Sequence, residues 1–88
     1  GEGLISLRFY REEYKLVSIR LRFDDFLSVV EHPNCVICEV TEEQGEELLD
    51  RLADLLVSAG FHANDEPNSL GHQIEAMIDR VLDTLERQ

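Results

Sequence analysis

The chain has 88 residues, of which 43% are hydrophobic and 31% are charged, and its formal net charge is −11. This length allows one hydrophobic core in one domain, and the composition is typical of a soluble globular protein rather than a disordered one. The apolar runs are too short for a transmembrane helix. No basic segment followed by an apolar stretch opens the chain, so no signal peptide is predicted. Two cysteines do not make a disulfide scaffold, so we expect a reducing, cytoplasmic location.

Charge is divided unevenly along the chain. Residues 1–22 carry five basic and three acidic side chains, a balance of +2, whereas residues 23–88 carry sixteen acidic and three basic side chains, a balance of −13. Such asymmetry bears on partners and solubility rather than on the fold.

Residues 4–23 predict a β-hairpin, because apolar and polar side chains alternate along both halves. The apolar positions are odd-numbered: Ile5, Leu7, Phe9, Val17, Ile19, Leu21 and Phe23. A period of two indicates two strands, each with one buried face. A turn of three or five residues around 11–13 keeps both apolar sets on the same face. The longer turn is expected, because no Gly or Asn supplies a left-handed position there.

Residues 26–31 leave two interpretations open. Asp24 or Asp25 could cap a short helix that holds Phe26 and the following valines on one side. Alternatively, the two aspartates form a tight turn into a valine-rich strand, which is the interpretation we favour. 

A turn and a third strand are predicted next. Pro33 and Asn34 are turn residues, and residues 35–40 read Cys-Val-Ile-Cys-Glu-Val. The β-branched content of this run indicates a strand.

The first of two C-terminal helices has a clear beginning and end. Thr41 with Gln44 predicts a capping box, and the glutamates that follow favour the positive end of the helix dipole. Gly60 is placed to end the helix. The predicted apolar face consists of Leu48, Leu49, Leu52, Leu55, Leu56 and Ala59.

The second helix follows a predicted loop over residues 62–68, which is rich in turn-forming side chains. Ser69 is the predicted cap of this helix. Its apolar side chains recur at spacings of four and three along one stripe: Leu70, Ile74, Ile78, Val81 and Leu85.

These elements predict one α+β domain over residues 1–88, with residues 1–3 as a cloning remnant or disordered end. An antiparallel sheet of three to four strands, N-terminal hairpin first, forms one layer, and the two C-terminal helices cover it as a second layer.

The nearest approach to a chemical motif is the spacing His32, Cys35 and Cys38. Tetrahedral zinc needs four such ligands, and His62 or His72 could complete the set. In a strand, however, side chains three positions apart point to opposite faces, so the two sulfurs cannot share a metal. We therefore interpret the cysteines as small buried hydrophobes and predict no metal and no cofactor.

The sequence contains no catalytic signature. No serine or cysteine has the neighbours of an activated nucleophile, and no glycine-rich turn offers a phosphate cradle. His32, His62 and His72 are interpreted as exposed polar side chains, although His62 and His72 could lie near one another. We predict no catalytic residue and no enzyme activity.

Rows of acidic side chains on the helices are the stronger functional signal. Their spacings of four and three place each row on one helix face: Glu43, Glu47, Asp50 and Asp54, then Glu75, Asp79, Asp83 and Glu86. Like charges at these spacings destabilise a helix by about 0.2–0.5 kcal/mol per pair. The alternatives are a solvated face that maintains solubility and a surface that binds a basic partner.

The polar face of the predicted hairpin has the opposite charge, and Arg8, Tyr10, Arg20 and Arg22 are expected to share it. Such a face can bind phosphates and stack on bases, but the net charge of the molecule repels a polyanion. We favour an acidic helix as its counterpart, either within the fold or from another copy.

The sequence therefore predicts a small acidic protein-binding module of the adaptor, inhibitor or immunity type. Its predicted binding residues are Glu43, Glu47, Asp50, Asp54, Arg8, Arg20 and Arg22. The alternative is a small-molecule-binding protein or modest enzyme with a cleft between sheet and helices near His62 and His72. A homodimer is also expected, because Met77 and Leu82 widen the apolar surface of the last helix beside its main stripe. No membrane partner is predicted.

Overall fold

A computed structural model describes residues 3–64 and 66–87. Its elements, in chain order, are β1 (Leu4–Tyr10), α1 (Arg11–Lys15), a π-helical segment (Leu16–Arg20), β2 (Ser28–Glu31), β3 (Cys35–Thr41), α2 (Glu42–Ala59) and α3 (Ser69–Glu86). Gly1 and Glu2, part of the predicted remnant or disordered end, and Asp65, part of the predicted loop, lie outside the described residues.

The strands form one antiparallel sheet in the order β1-β3-β2. Leu7 of β1 and Val29 of β2 both lie opposite Cys38 of the central strand. This sheet, followed by two C-terminal helices, confirms the predicted α+β class, with three strands from the predicted range of three to four.

The core lies between one face of the sheet and the helices. The strands contribute alternate side chains to it, because successive residues of a strand point to opposite faces. Its fully buried members from strands and helices include Ile5, Leu7, Phe9, Val36, Cys38, Val40, Leu48, Leu52, Ile74, Met77 and Val81. We call the opposite side of the sheet, which carries Arg8 and Tyr10, the outer face.

The second arm of the predicted hairpin is wrong, because residues 11–20 are helical. Arginine, glutamate and lysine in this stretch favour a helix, and the Glu13 carboxylate accepts the backbone N–H of Tyr10 at 2.8 Å at the helix start. Burial does not follow the alternation either: Val17 is buried, whereas Ile19 is 72% exposed. The odd-numbered pattern of this arm is therefore not a strand period.

The helix ends in a left-handed turn at Arg22, where φ is 54°. This conformation is uncommon outside glycine, although it is a frequent way to end a helix. The N–H of Phe23 then donates to the carbonyl of Val17 at 3.0 Å. The turn directs the chain toward β2 and buries Phe23 in the core.

The favoured interpretation of residues 26–31 as a strand is confirmed over Ser28–Glu31, which form β2, whereas residues 26 and 27 precede the strand. The predicted turn at Pro33 and Asn34 joins β2 to β3, and the N–H of His32 donates to the carbonyl of Cys35 at 2.8 Å. The side chain of Arg11 fixes this turn, since its guanidinium donates to the carbonyl of His32 at 2.6 Å and to that of Pro33 at 3.0 Å.

The boundaries of α2 are confirmed. Thr41 Oγ1 accepts the N–H of Gln44 at 3.2 Å, and Gln44 Oε1 accepts the N–H of Thr41 at 2.9 Å, which completes the predicted capping box. Gly60 is the C-cap.

The predicted cap of α3 is wrong by one residue. Asn68 rather than Ser69 precedes the helix, and its Oδ1 accepts the N–H of Gly71 at 2.7 Å. Its Nδ2 also donates to the carbonyl of Ala59 at 3.0 Å. An asparagine therefore serves both the end of α2 and the start of α3, which the shorter side chain of serine cannot do.

The position of Met77 corrects the apolar surface predicted for α3. Met77 is fully buried in the core, whereas Leu82 is 44% exposed. Helical geometry explains the burial, because Met77 lies three positions after Ile74 and four before Val81, both of which are buried. Met77 thus packs within its own chain. Of the two side chains expected to widen the apolar surface for a dimer, only Leu82 is exposed.

Candidate functional site

The acidic face of α2 consists of Glu43, Glu47, Asp50 and Asp54, and all four side chains are exposed. Leu48 and Leu52 on the opposite side of the helix are fully buried. The adjacent Arg51 lies 3.5 Å from the carboxylate of Glu47. The helix therefore presents these carboxylates to solvent as one row, largely without local neutralisation.

The second acidic row, on α3, is less uniform. Glu75 is partly buried and lies 3.8 Å from His72 Nδ1, and Asp83 pairs with Arg87 at 3.1 Å. Asp79 and Glu86 are exposed. This row thus offers fewer free carboxylates than the acidic face of α2.

The predicted basic residues do not share one surface. Arg8 and Tyr10 lie on the outer face of the sheet, whereas Arg20 ends the π-helical segment and Arg22 occupies the left-handed turn. The shared face predicted for them depended on a second hairpin strand, which the chain does not form.

An ion pair between the buried Glu13 and the partly exposed Arg80 was not predicted from the sequence. The Glu13 side chain is 6% exposed and binds Arg80 through two contacts, Nη1 to Oε1 at 2.6 Å and Nη2 to Oε2 at 3.0 Å. The hydrogen bond to Glu13 raises the pKa of Arg80. Arg80 Nη1 also donates to the carbonyl of Arg8 at 3.0 Å. Arg80 therefore joins α3 to α1 across 67 positions of sequence and to β1 across 72 positions.

The two cysteines lie on opposite faces of β3, as the strand interpretation predicts. Cys38 is opposite Leu7 on the core face, whereas Cys35 is opposite Tyr10 on the outer face. Burial raises the pKa of the Cys38 thiol to about 12, so the thiolate that would bind a metal or attack an electrophile is disfavoured. Among residues 3–64 and 66–87, no three His, Cys, Asp or Glu side chains meet as metal ligands would.

Treatment with a chelator is expected to leave the fold unchanged, because these thiols cannot converge on one ion. The far-UV circular dichroism spectrum and melting temperature should be the same before and after dialysis against EDTA. Stoichiometric zinc in the purified protein, lost together with helical signal on chelation, would contradict this expectation.

His62 and His72 are both exposed. Three surface depressions are lined by other residues, from β1, β3, the turn between β2 and β3, the start of α2, Gly3 and Arg80. Neither histidine borders any of these three depressions. These depressions therefore do not support the cleft expected near His62 and His72.

Comparison with known proteins gives no relative, since no family model, curated protein or solved structure matches this chain. Among the described residues, no helix combines the length and apolar content needed to cross a membrane.

Proposed function

We propose that this protein is a small binding module whose acidic α2 face recognises a basic protein partner. The observation that carries the proposal is the exposure of every carboxylate on α2: Glu42, Glu43, Glu46, Glu47, Asp50 and Asp54. Like charges at these spacings oppose helix formation, and α2 carries only one basic residue, Arg51, to offset them. A cationic surface that docks there would relieve this repulsion.

The site suits recognition rather than catalysis. The carboxylates stand in a row along about three turns of one helix, and such rows favour rapid, salt-sensitive association with an oppositely charged surface. The alternative, small-molecule binding near His62 and His72, has less support because both side chains are exposed and lie outside the three described depressions. Self-association retains support from the uneven charge and from exposed Leu82.

Neutralising the acidic face is expected to abolish partner binding without unfolding the protein. The variant carries Glu43→Gln, Glu47→Gln, Asp50→Asn and Asp54→Asn, and its stability should stay within about 0.5 kcal/mol of the parent or rise slightly, since relief of repulsion exceeds the loss of one exposed ion pair. Affinity capture from the host lysate at low and moderate salt, followed by titration of the identified partner in purified form, measures the binding.

A matched control neutralises the row on α3 with Asp79→Asn, Asp83→Asn and Glu86→Gln. This variant should retain a partner that the α2 variant loses, and the partner should be a basic protein. Equal binding by both variants and the parent would remove the proposed role of α2. A clear fall in the melting temperature of the α2 variant would instead assign its carboxylates to the fold.

A further inference from the structure

Two depressions meet at Arg8 on and beside the outer face of the sheet. The first has a volume of about 220 Å³ and is lined by Arg8, Phe9, Tyr10 and Arg80. The second, of about 400 Å³, is lined by Arg8, His32, Pro33, Asn34, Cys35 and Ile37. Both have arginine at their border although the chain carries a net charge of −11.

Arg8 is a cation without a carboxylate partner among residues 3–64 and 66–87. Arg11, Arg51, Arg80 and Arg87 each have one, at distances between 2.6 and 3.5 Å. The Arg8 side chain is also exposed. Its guanidinium therefore has five N–H donors available to an external acceptor.

Arg80 adds a second, pre-oriented set of donors. Three of its N–H groups are used: Nη1 donates to Glu13 and to the carbonyl of Arg8, and Nη2 donates to Glu13. No other described group accepts a hydrogen bond from it, so the N–H of Nε and the second N–H of Nη2 remain. These two lie side by side on one edge of the guanidinium, in the arrangement that binds two oxygens of an anion.

Tyr10 supplies an aromatic surface in the same depression. Its side chain is 65% exposed, and the guanidinium carbon of Arg80 lies 5.5 Å from the ring centroid. A ring of this kind can pack against a flat ligand body. The first depression is smaller than the range of about 300–1,000 Å³ usual for drug-sized ligands, which favours a small group.

We propose that this depression is an anion site for a phosphate attached to an aromatic ring. A phosphate offers three acceptor oxygens, enough for Arg8 and for the free edge of Arg80 together, whereas a carboxylate offers two and is satisfied by one guanidinium. The aromatic ring of the ligand packs on Tyr10. The site shares no residue with the acidic face of α2, so either role can fail without the other.

A titration with phenyl phosphate at about 0.15 M salt tests the site, because the Debye length of about 8 Å then limits attraction by distant charges. Amide resonances of residues 8–10 and 34–37 should shift with a dissociation constant on the order of 1 mM, in keeping with so small a ligand. Arg8→Gln should weaken binding at least fivefold. It leaves the fold intact, because Arg80 binds the backbone carbonyl of Arg8 and not its side chain.

Arg20→Gln is the matched control, since Arg20 is exposed and has no carboxylate partner among the described residues. It should bind like the parent. Tyr10→Leu should reduce the affinity for phenyl phosphate to that for inorganic phosphate. Equal affinity in the parent and Arg8→Gln, or shifts spread equally around Arg20 and Arg22, would overturn the site.

The source of the ligand is distinguished by a second titration with a phosphotyrosine peptide. Tighter binding of the peptide than of phenyl phosphate, again lost in Arg8→Gln, assigns the site to a phosphorylated protein segment. Equal binding of both assigns it to a free aryl phosphate. Both results support the anion site, whereas binding of neither probe rejects it.

Discussion

Replacing Arg80 with methionine is expected to destabilise the protein by about 3 kcal/mol. Removing one partner of a buried ion pair leaves an uncompensated charge and typically costs about 3–5 kcal/mol. The lower end applies here because the Arg80 side chain is 34% exposed, so solvent partly screens the pair. With a typical total of about 0.05–0.15 kcal/mol per residue, this loss removes a large part of the stability of an 88-residue chain. Urea denaturation followed by circular dichroism measures it.

The double variant Arg80→Met with Glu13→Gln is the control that identifies the cause. Glutamine retains an oxygen that accepts the N–H of Tyr10, a bond of 2.8 Å in the parent, but it carries no charge. Most of the lost stability should therefore return, since replacing both charges of a buried pair is often nearly neutral. A loss below about 1 kcal/mol for Arg80→Met alone would show that an unpaired Glu13 charge costs little. No recovery in the double variant would assign the loss to other contacts of Arg80 rather than to that charge.

The elements that the sequence predicts well are those whose signals lie within a few residues. The start of α2 requires only Thr41 and Gln44, three positions apart, and its end requires only Gly60. The strand over residues 35–40 likewise depends on its own β-branched side chains. Local hydrogen bonding and backbone preference suffice for these elements, so no tertiary contact is needed to place them.

The second arm of the predicted hairpin is wrong because this order of apolar and polar side chains is compatible with a strand but occurs here in a helical segment. Val17 and Phe23 are buried in the core although one lies in the π-helical segment and the other follows it. The stabilising contact of this stretch, Glu13 with Arg80, is made with a residue 67 positions away. The local signs of the helix were its arginine, glutamate and lysine content and the spacing of Tyr10 and Glu13, which is that of a helix cap.

Of the two candidate surfaces, one could be predicted from local sequence and the other could not. The acidic row on α2 could be predicted as one exposed face, because residues three and four apart lie together on any helix. The depression at Arg8 could not, since it needs Tyr10 of β1 beside Arg80 of α3. This contact depends on how α3 packs against the sheet, and the pattern of neighbouring residues does not predict that packing.

Gly71→Ala is expected to have the other large effect, a loss of about 3 kcal/mol or more, because α2 and α3 meet at two glycines. A Cβ on Gly71 would lie 2.0 Å from the carbonyl oxygen of Gly60, which is backbone and cannot move aside as a side chain could. Overpacking of this kind typically costs about 1–3 kcal/mol and more where the neighbour is rigid. The adjacent Asn68 holds the same junction, since its N–H donates to the carbonyl of Gly60 at 2.8 Å.

Gly45→Ala is the matched control, since Gly45 is also a buried glycine within a helix. The nearest atom to its added Cβ would be the flexible end of Leu85 at 3.2 Å, and alanine is favoured over glycine in a helix by about 1 kcal/mol. Gly45→Ala should therefore be neutral or slightly stabilising, while Gly71→Ala unfolds at much lower urea concentration or lacks helical signal altogether. Equal midpoints for the two variants would mean that α2 and α3 can separate at Gly71 without loss, and the close approach would not be needed for the fold.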